Sequence, residues 1–110
     1  MTMNETQFNA LAETMLARIE AALDAASIDI DYEVMPGGVL ELEFEDGSKI
    51  IINRHTAARE IWVAAKSGGF HFRYENADDG RWVGTRDGVE LMAMLSQVIS
   101  QQAGEKVTLA

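Results

Sequence analysis

The sequence predicts an α+β fold, a two-layer α/β sandwich in which an antiparallel sheet of about six strands is covered on one face by helices from both ends of the chain. Three observations lead there. Apolar residues recur at helical period near both ends of the chain, residues between them alternate at the two-residue period of strands, and turn signals separate the alternating runs. With 110 residues, 47% of them apolar and only one proline, residues 1–110 form a single folded domain.

From Thr6 to Ala26, Phe8, Leu11, Ala12, Met15, Ile19, Ala22 and Leu23 fall at three- and four-residue steps, and Asn4 or Thr6 is placed to cap the helix. Strands are expected at 28–34, 39–45 and 48–53, joined by Pro36-Gly37-Gly38 and Asp46-Gly47. In the first, Ile28, Ile30, Tyr32 and Val34 alternate with Asp29, Asp31 and Glu33; in the second, Leu40, Leu42 and Phe44 alternate with Glu41, Glu43 and Glu45. Pairing Met35 with Val39 sets Glu33 opposite Glu41 and Asp31 opposite Glu43, whereas a slip of one residue sends the two acidic sets to opposite faces. The sequence leaves that register open.

Strands at 60–65 and 70–74 flank a turn at Lys66-Ser67-Gly68-Gly69, and a polar loop from Glu75 to Gly80 leads to a short strand at 81–83. Asp87 with Glu90 three residues later reads as a capping pair for a second helix, whose inner face holds Leu91, Leu95, Val98, Ile99 and Gln102. Val107 and Leu109 in the tail are expected to tuck against the helices.

A formal charge of −9 argues against nucleic acid as a ligand and for cations or basic proteins. The absence of cysteine excludes disulfides, thiolate metal sites, iron–sulfur ligation by this chain and cysteine nucleophiles. No apolar stretch approaches the roughly 20 residues of a membrane span, and the N-terminus has no basic region followed by an apolar core, so a cytoplasmic location is expected. No serine or threonine has an evident partner base, which favours a binding protein over an enzyme.

The acids are the candidate site. On the first helix Glu13, Glu20 and Asp24 fall within roughly 40° of arc, away from the apolar stripe, and on the following strand Asp29, Asp31 and Glu33 share one face at about 7 Å spacing. Together they make a two-element ridge of hard oxygen donors suited to iron, Mn²⁺ or Ca²⁺. Acids of one strand lie too far apart to share an ion, so a site needs helix and strand acids to converge with waters. His55 and His71 have no metal-ligand spacing and read as surface or packing residues; alternation with Phe70 and Phe72 turns His71 to the open face of the sheet. Trp62 is expected on that open face, where an indole is a common interface anchor, and Trp82 in the interior.

The run Gly47 to Arg54, followed in order by Ile61-Trp62, Gly68-Gly69, His71-Phe72, Trp82 and Arg86-Asp87-Gly88, resembles the frataxin family, in particular bacterial frataxins of the CyaY type. The resemblance spans essentially the whole chain. It implies weak binding of Fe²⁺ or Fe³⁺ by exposed carboxylates, here Glu13, Glu20, Asp24, Asp29, Asp31 and Glu33 with Glu5 more distant. It also implies a role in iron–sulfur cluster assembly with a cysteine desulfurase and a cluster scaffold as partners, and a partner surface at Asn53, Arg54 and Trp62. A monomer is expected, with iron-dependent oligomers left open. The alternative is an acidic adaptor of the desulfurase whose metal binding is incidental. Two departures stand out: residues 55–58 read His-Thr-Ala-Ala, where family members commonly have Gln and then Pro, and Ala21 and Ala25 occupy places where relatives often carry further acids.

Overall fold

A computed structural model describes residues 4–26, 30–75 and 80–109. The first helix, α1 (Glu5–Ala25), begins at Asn4 in a reciprocal capping box: the Gln7 N–H donates to Asn4 Oδ1 at 2.8 Å and the Asn4 N–H donates to Gln7 Oε1 at 3.0 Å. Of the two candidate caps, Asn4 is the one used. Phe8, Ala12, Met15, Leu16, Ile19 and Leu23 form its buried stripe, as the three-and-four spacing requires.

Six strands follow as a meander, β1 (Asp31–Met35), β2 (Val39–Glu43), β3 (Lys49–His55), β4 (Glu60–Ala65), β5 (Gly68–Glu75) and β6 (Arg81–Gly84). They lie in sequence order, every neighbouring pair antiparallel, so β1 and β6 are the two edges. The open register resolves to Met35 opposite Val39, placing Glu33 across from Glu41 and Asp31 across from Glu43. Leu40 and Leu42 are buried on the helix side, and this fixes the register, because a one-residue slip would carry both leucines into water.

Among the described residues three strand boundaries differ from expectation by two residues, the others by one at most. The second strand stops at Glu43, because the Asp46 carboxylate takes the Ser48 N–H at 2.9 Å and the Ser48 hydroxyl at 2.6 Å and closes a turn there. Strand β5 begins at Gly68, since Ala65 pairs with Gly68 and leaves only Lys66-Ser67 in the loop. Gly68 has φ +143°, a conformation that favours glycine. Strand β3 runs on to His55, because its pairing with β4 continues to His55 opposite Glu60, closed by a single 3₁₀ turn, Thr56–Ala58. The expected start of the first strand at residue 28, Asp29 and most of the 75–80 loop lie outside the described residues.

The second helix, α2 (Leu91–Ala103), corrects the Asp87 assignment. Glu90 is its N-cap, accepting from the N–H groups of Met92 at 2.8 Å and Ala93 at 3.3 Å. Asp87 instead accepts the Val89 N–H at 3.1 Å and closes the preceding turn over Gly84, where a Cβ would sit 2.6 Å from the Asp87 carboxylate. Leu91, Leu95, Val98 and Ile99 are buried as expected. Gln102 donates to the Ser48 hydroxyl at 2.9 Å and accepts the Lys66 N–H at 2.9 Å, tying two sheet turns to the helix.

Both helices cover the same face. Ile50, Ile52, Ile61, Val63, Phe72 and Trp82 join the helix stripes in one core. Val107 and Leu109 are buried against it, their N–H groups donating to Ser100 and Ser96. The other face of the sheet is left uncovered, and it carries much of the chain's chemistry.

Candidate metal and partner surfaces

At the β1 edge the acids fall into two sets separated by the thickness of one strand. Tyr32 points to α1, where its hydroxyl donates to Asp24 at 2.5 Å. This bond, reinforced by burial and by the charges of Asp24 and Glu20, raises the Tyr32 hydroxyl to about 12. Asp24, Glu20 and Tyr32 are therefore close neighbours on the helix side. Glu13 sits further along, its carboxylate 3.4 Å from the Arg54 guanidinium. Gly38 makes room for that arginine: a Cβ there would lie 3.3 Å from Arg54 Nη2.

Asp31 and Glu33 alternate with Tyr32 and so point to the open face, where the register joins them to Glu43 and Glu41. Like charges directly opposite repel, and Lys49 is a cation set against them. Lys49 Nζ lies 3.1 Å from Glu41 Oε1. Its ammonium is held above the usual lysine range by that bond and then by the charges of Glu41, Glu43 and Glu33. The second-strand acids thus belong to the same surface as the first. Alternation alone does not place them there, because the face they share with β1 depends on the register.

No three of the described ridge acids bring their carboxylate oxygens within 4.8 Å of one another. A hard cation on this edge would be held by one or two carboxylates and by water. That donor set fits iron chemically, and it makes for open, reversible binding. Asp29 lies outside the described residues.

Further along the open face, Trp62 stands between two cross-strand partners, Asn53 on β3 and His71 on β5. Its indole is tilted against the His71 ring at a centroid distance of 6.4 Å, and its Nε1 lies 3.4 Å from where a Gly69 side chain would begin. Trp62 is half-buried, while Trp82 is 3% exposed and packs edge-on against Phe8 and Tyr74. The structure gathers Asn53 and Trp62 on one surface and sends the Arg54 side chain to the helix side.

A further group went unread in the sequence. His55 pairs with Glu60 across β3 and β4, and His71 Nδ1 lies 3.1 Å from Glu60 Oε1. The signal was the four-residue connection between Ile52-Asn53-Arg54-His55 and Glu60-Ile61-Trp62, which places His55 and Glu60 opposite each other once β3 is extended by two residues.

The frataxin-like domain profile matches residues 1–105. This chain belongs to the frataxin family. Across 107 residues, this frataxin is 60% identical to the iron–sulfur cluster assembly protein CyaY of Dechloromonas aromatica, covering 97% of this chain and 99% of that one. It is 50% identical to CyaY of Vibrio cholerae over 105 residues, with 96% and 97% covered. The solved frataxin of Psychromonas ingrahamii superposes with a TM-score of 0.87 at 34% identity, covering 98% of this chain and 99% of that one. Two helices on a six-stranded antiparallel sheet is the architecture they share. Among the described residues, no helix of this frataxin is long and apolar enough to cross a membrane.

Proposed function

We propose that this chain is a non-enzymatic iron-binding protein of iron–sulfur cluster assembly, which takes iron on its acidic edge and docks through the same edge on a basic patch of the cysteine desulfurase. The CyaY relatives bear the name of cluster assembly proteins, and the β1 edge supports the finer reading. Glu20 and Asp24 line its helix side, Asp31, Glu33, Glu41 and Glu43 its open side, and Lys49 is the cation seated among the open-side four. The single observation that carries the proposal is this gathering of carboxylates from α1, β1 and β2 at the β1 edge, in excess of the lysine set among them. Glu13 and Asp29 extend the site, and Asn53 and Trp62, with Arg54 at their margin, form the surface for the cluster scaffold. Because exposed charges dominate the desulfurase contact, it weakens as salt rises. The protein works in the cytoplasm as a monomer.

A second reading is favoured by the spread of the carboxylates: an adaptor whose ligand is the basic partner alone, with metal binding incidental. The two separate on replacing Glu20, Asp24, Asp29 and Asp31 by Gln or Asn and measuring desulfurase affinity with and without Fe²⁺. The iron-dependent proposal expects a larger loss in the presence of iron. An identical loss in both conditions assigns the edge to the partner alone.

A further inference from the structure

We propose that His55, Glu60 and His71 form a second cation site on the open face of the sheet, a cradle of two imidazoles and one carboxylate for a borderline first-row divalent ion such as Zn²⁺, Co²⁺ or Fe²⁺. Among the described residues this is the one group of three whose donor atoms all lie within 4.8 Å of one another. Donor atoms in a tetrahedral shell with bonds of about 2.1 Å stand about 3.4 Å apart. His71 and Glu60 already meet that spacing at 3.1 Å, so closure needs only a small rotation of the exposed His55 side chain.

The backbone supports the cradle. His55 and Glu60 are cross-strand partners at the closed end of the β3–β4 hairpin, anchored by the 3₁₀ turn, and His71 is the diagonal neighbour of Glu60 on β5. Arg73, directly opposite Glu60, is the cation that would compete for its carboxylate, but the Arg73 guanidinium is turned to Glu75 at 3.6 Å. An ion seated between His71 Nδ1 and Glu60 Oε1 takes the place of that direct contact, and the second carboxylate oxygen stays free to coordinate or to accept a hydrogen bond. Imidazole donors set this site apart from the carboxylate edge. They select Zn²⁺, Co²⁺ or Fe²⁺ over Mg²⁺ and Ca²⁺. The remaining positions face water and a shallow cleft lined by Asn53, Arg54, His55, Trp62 and His71, with the Arg54 guanidinium drawn to Glu13, so a ligand atom from a bound partner can complete the shell.

Trp62 supplies the readout. Co²⁺ held by His71 lies close to the Trp62 indole, whose ring centroid is 6.4 Å from that of His71, and quenches it. The test is a Co²⁺ titration of the intact chain followed by tryptophan fluorescence and by calorimetry, repeated for His55→Ala, Glu60→Gln and His71→Ala, for Trp62→Phe, and for the edge variant Glu20→Gln/Asp24→Asn. The site predicts saturable quenching that resists excess Mg²⁺, a loss of affinity of at least about tenfold for each cradle variant, loss of the quenching but not of the heat in Trp62→Phe, and an unchanged quenching curve in the edge variant. His55 and His71 are exposed, so circular dichroism confirms that their variants fold. Equal Co²⁺ affinity in His55→Ala and wild type, or displacement of Co²⁺ by equimolar Mg²⁺, overturns it. The edge variant makes failure here distinct from failure of the iron edge, because each site is disabled separately.

Discussion

The two tryptophans separate what holds the fold from what the fold presents, and substituting them one at a time makes that division measurable. Trp82 is 3% exposed and wedged between Phe8 at 6.0 Å and Tyr74 at 5.3 Å, both edge-on. Truncating a buried tryptophan costs about 3–5 kcal/mol, of which edge-on ring pairs account for about 0.5–1.5 kcal/mol each. Against a total stability of roughly 5–15 kcal/mol, Trp82→Ala removes about a fifth or more. With a urea slope of about 1–3 kcal/mol per molar, the unfolding midpoint falls by about 2 M. Trp62 is half-buried on the uncovered face, and nothing closes over it, so Trp62→Ala costs about 1 kcal/mol while removing the centre of the Asn53–Trp62–His71 surface. The assay is urea unfolding followed by far-ultraviolet circular dichroism, which needs neither indole as a probe. Equal midpoint losses in the two variants, or a Trp82→Ala loss of less than about 1 kcal/mol, would refute the placement of the core on one face of the sheet.

Three further outcomes follow from the local geometry. Lys49→Met removes the cation among Glu33, Glu41 and Glu43; the variant is less stable at low ionic strength than wild type, and added salt narrows the gap in thermal unfolding, whereas a salt-independent gap contradicts the repulsion. Tyr32 holds its proton to about 12 against an ordinary value of 10.0, chiefly through Asp24. Its contribution to stability is therefore complete below pH 10 and is lost as pH rises toward 12, and in Asp24→Asn the tyrosinate absorbance of this residue develops at lower pH, measured as the difference from Tyr32→Phe. Replacing Asn4 by Ala breaks the capping box and costs about 1 kcal/mol, read as a lower thermal midpoint with α1 amides exchanging faster near Gln7.

Most of the architecture was legible because it rests on periodicity and turn chemistry. The α1 stripe, the alternation of Leu40 and Leu42 with acids, and the positions of the glycine-bearing turns each admit few alternatives. The boundaries that moved are those decided by a specific side-chain bond. Asp46 ended β2 by capturing Ser48, and Glu90 took the helix cap that Asp87 was expected to share, because its carboxylate reaches two free N–H groups at once. The site was half legible for a related reason. Acids on one element could be grouped by angle or by alternation, so Glu13, Glu20 and Asp24, or Asp31 and Glu33, were found as sets. Relations between strands depend on register, which placed Glu41 and Glu43 beside Asp31 and Glu33 and brought His55 and His71 to Glu60; Arg54 faces away from Asn53 by simple alternation.

The acidic edge as the docking surface is tested most directly by a two-dimensional NMR titration of the isotope-labelled chain with purified cysteine desulfurase at low salt. The amides of α1 around Glu13, Glu20 and Asp24 and of β1 through Asp31 and Glu33 should shift or broaden first, and the effect should fade as salt is added. Perturbation confined to Trp62 and the open sheet, with residues 13–33 unmoved, would contradict it.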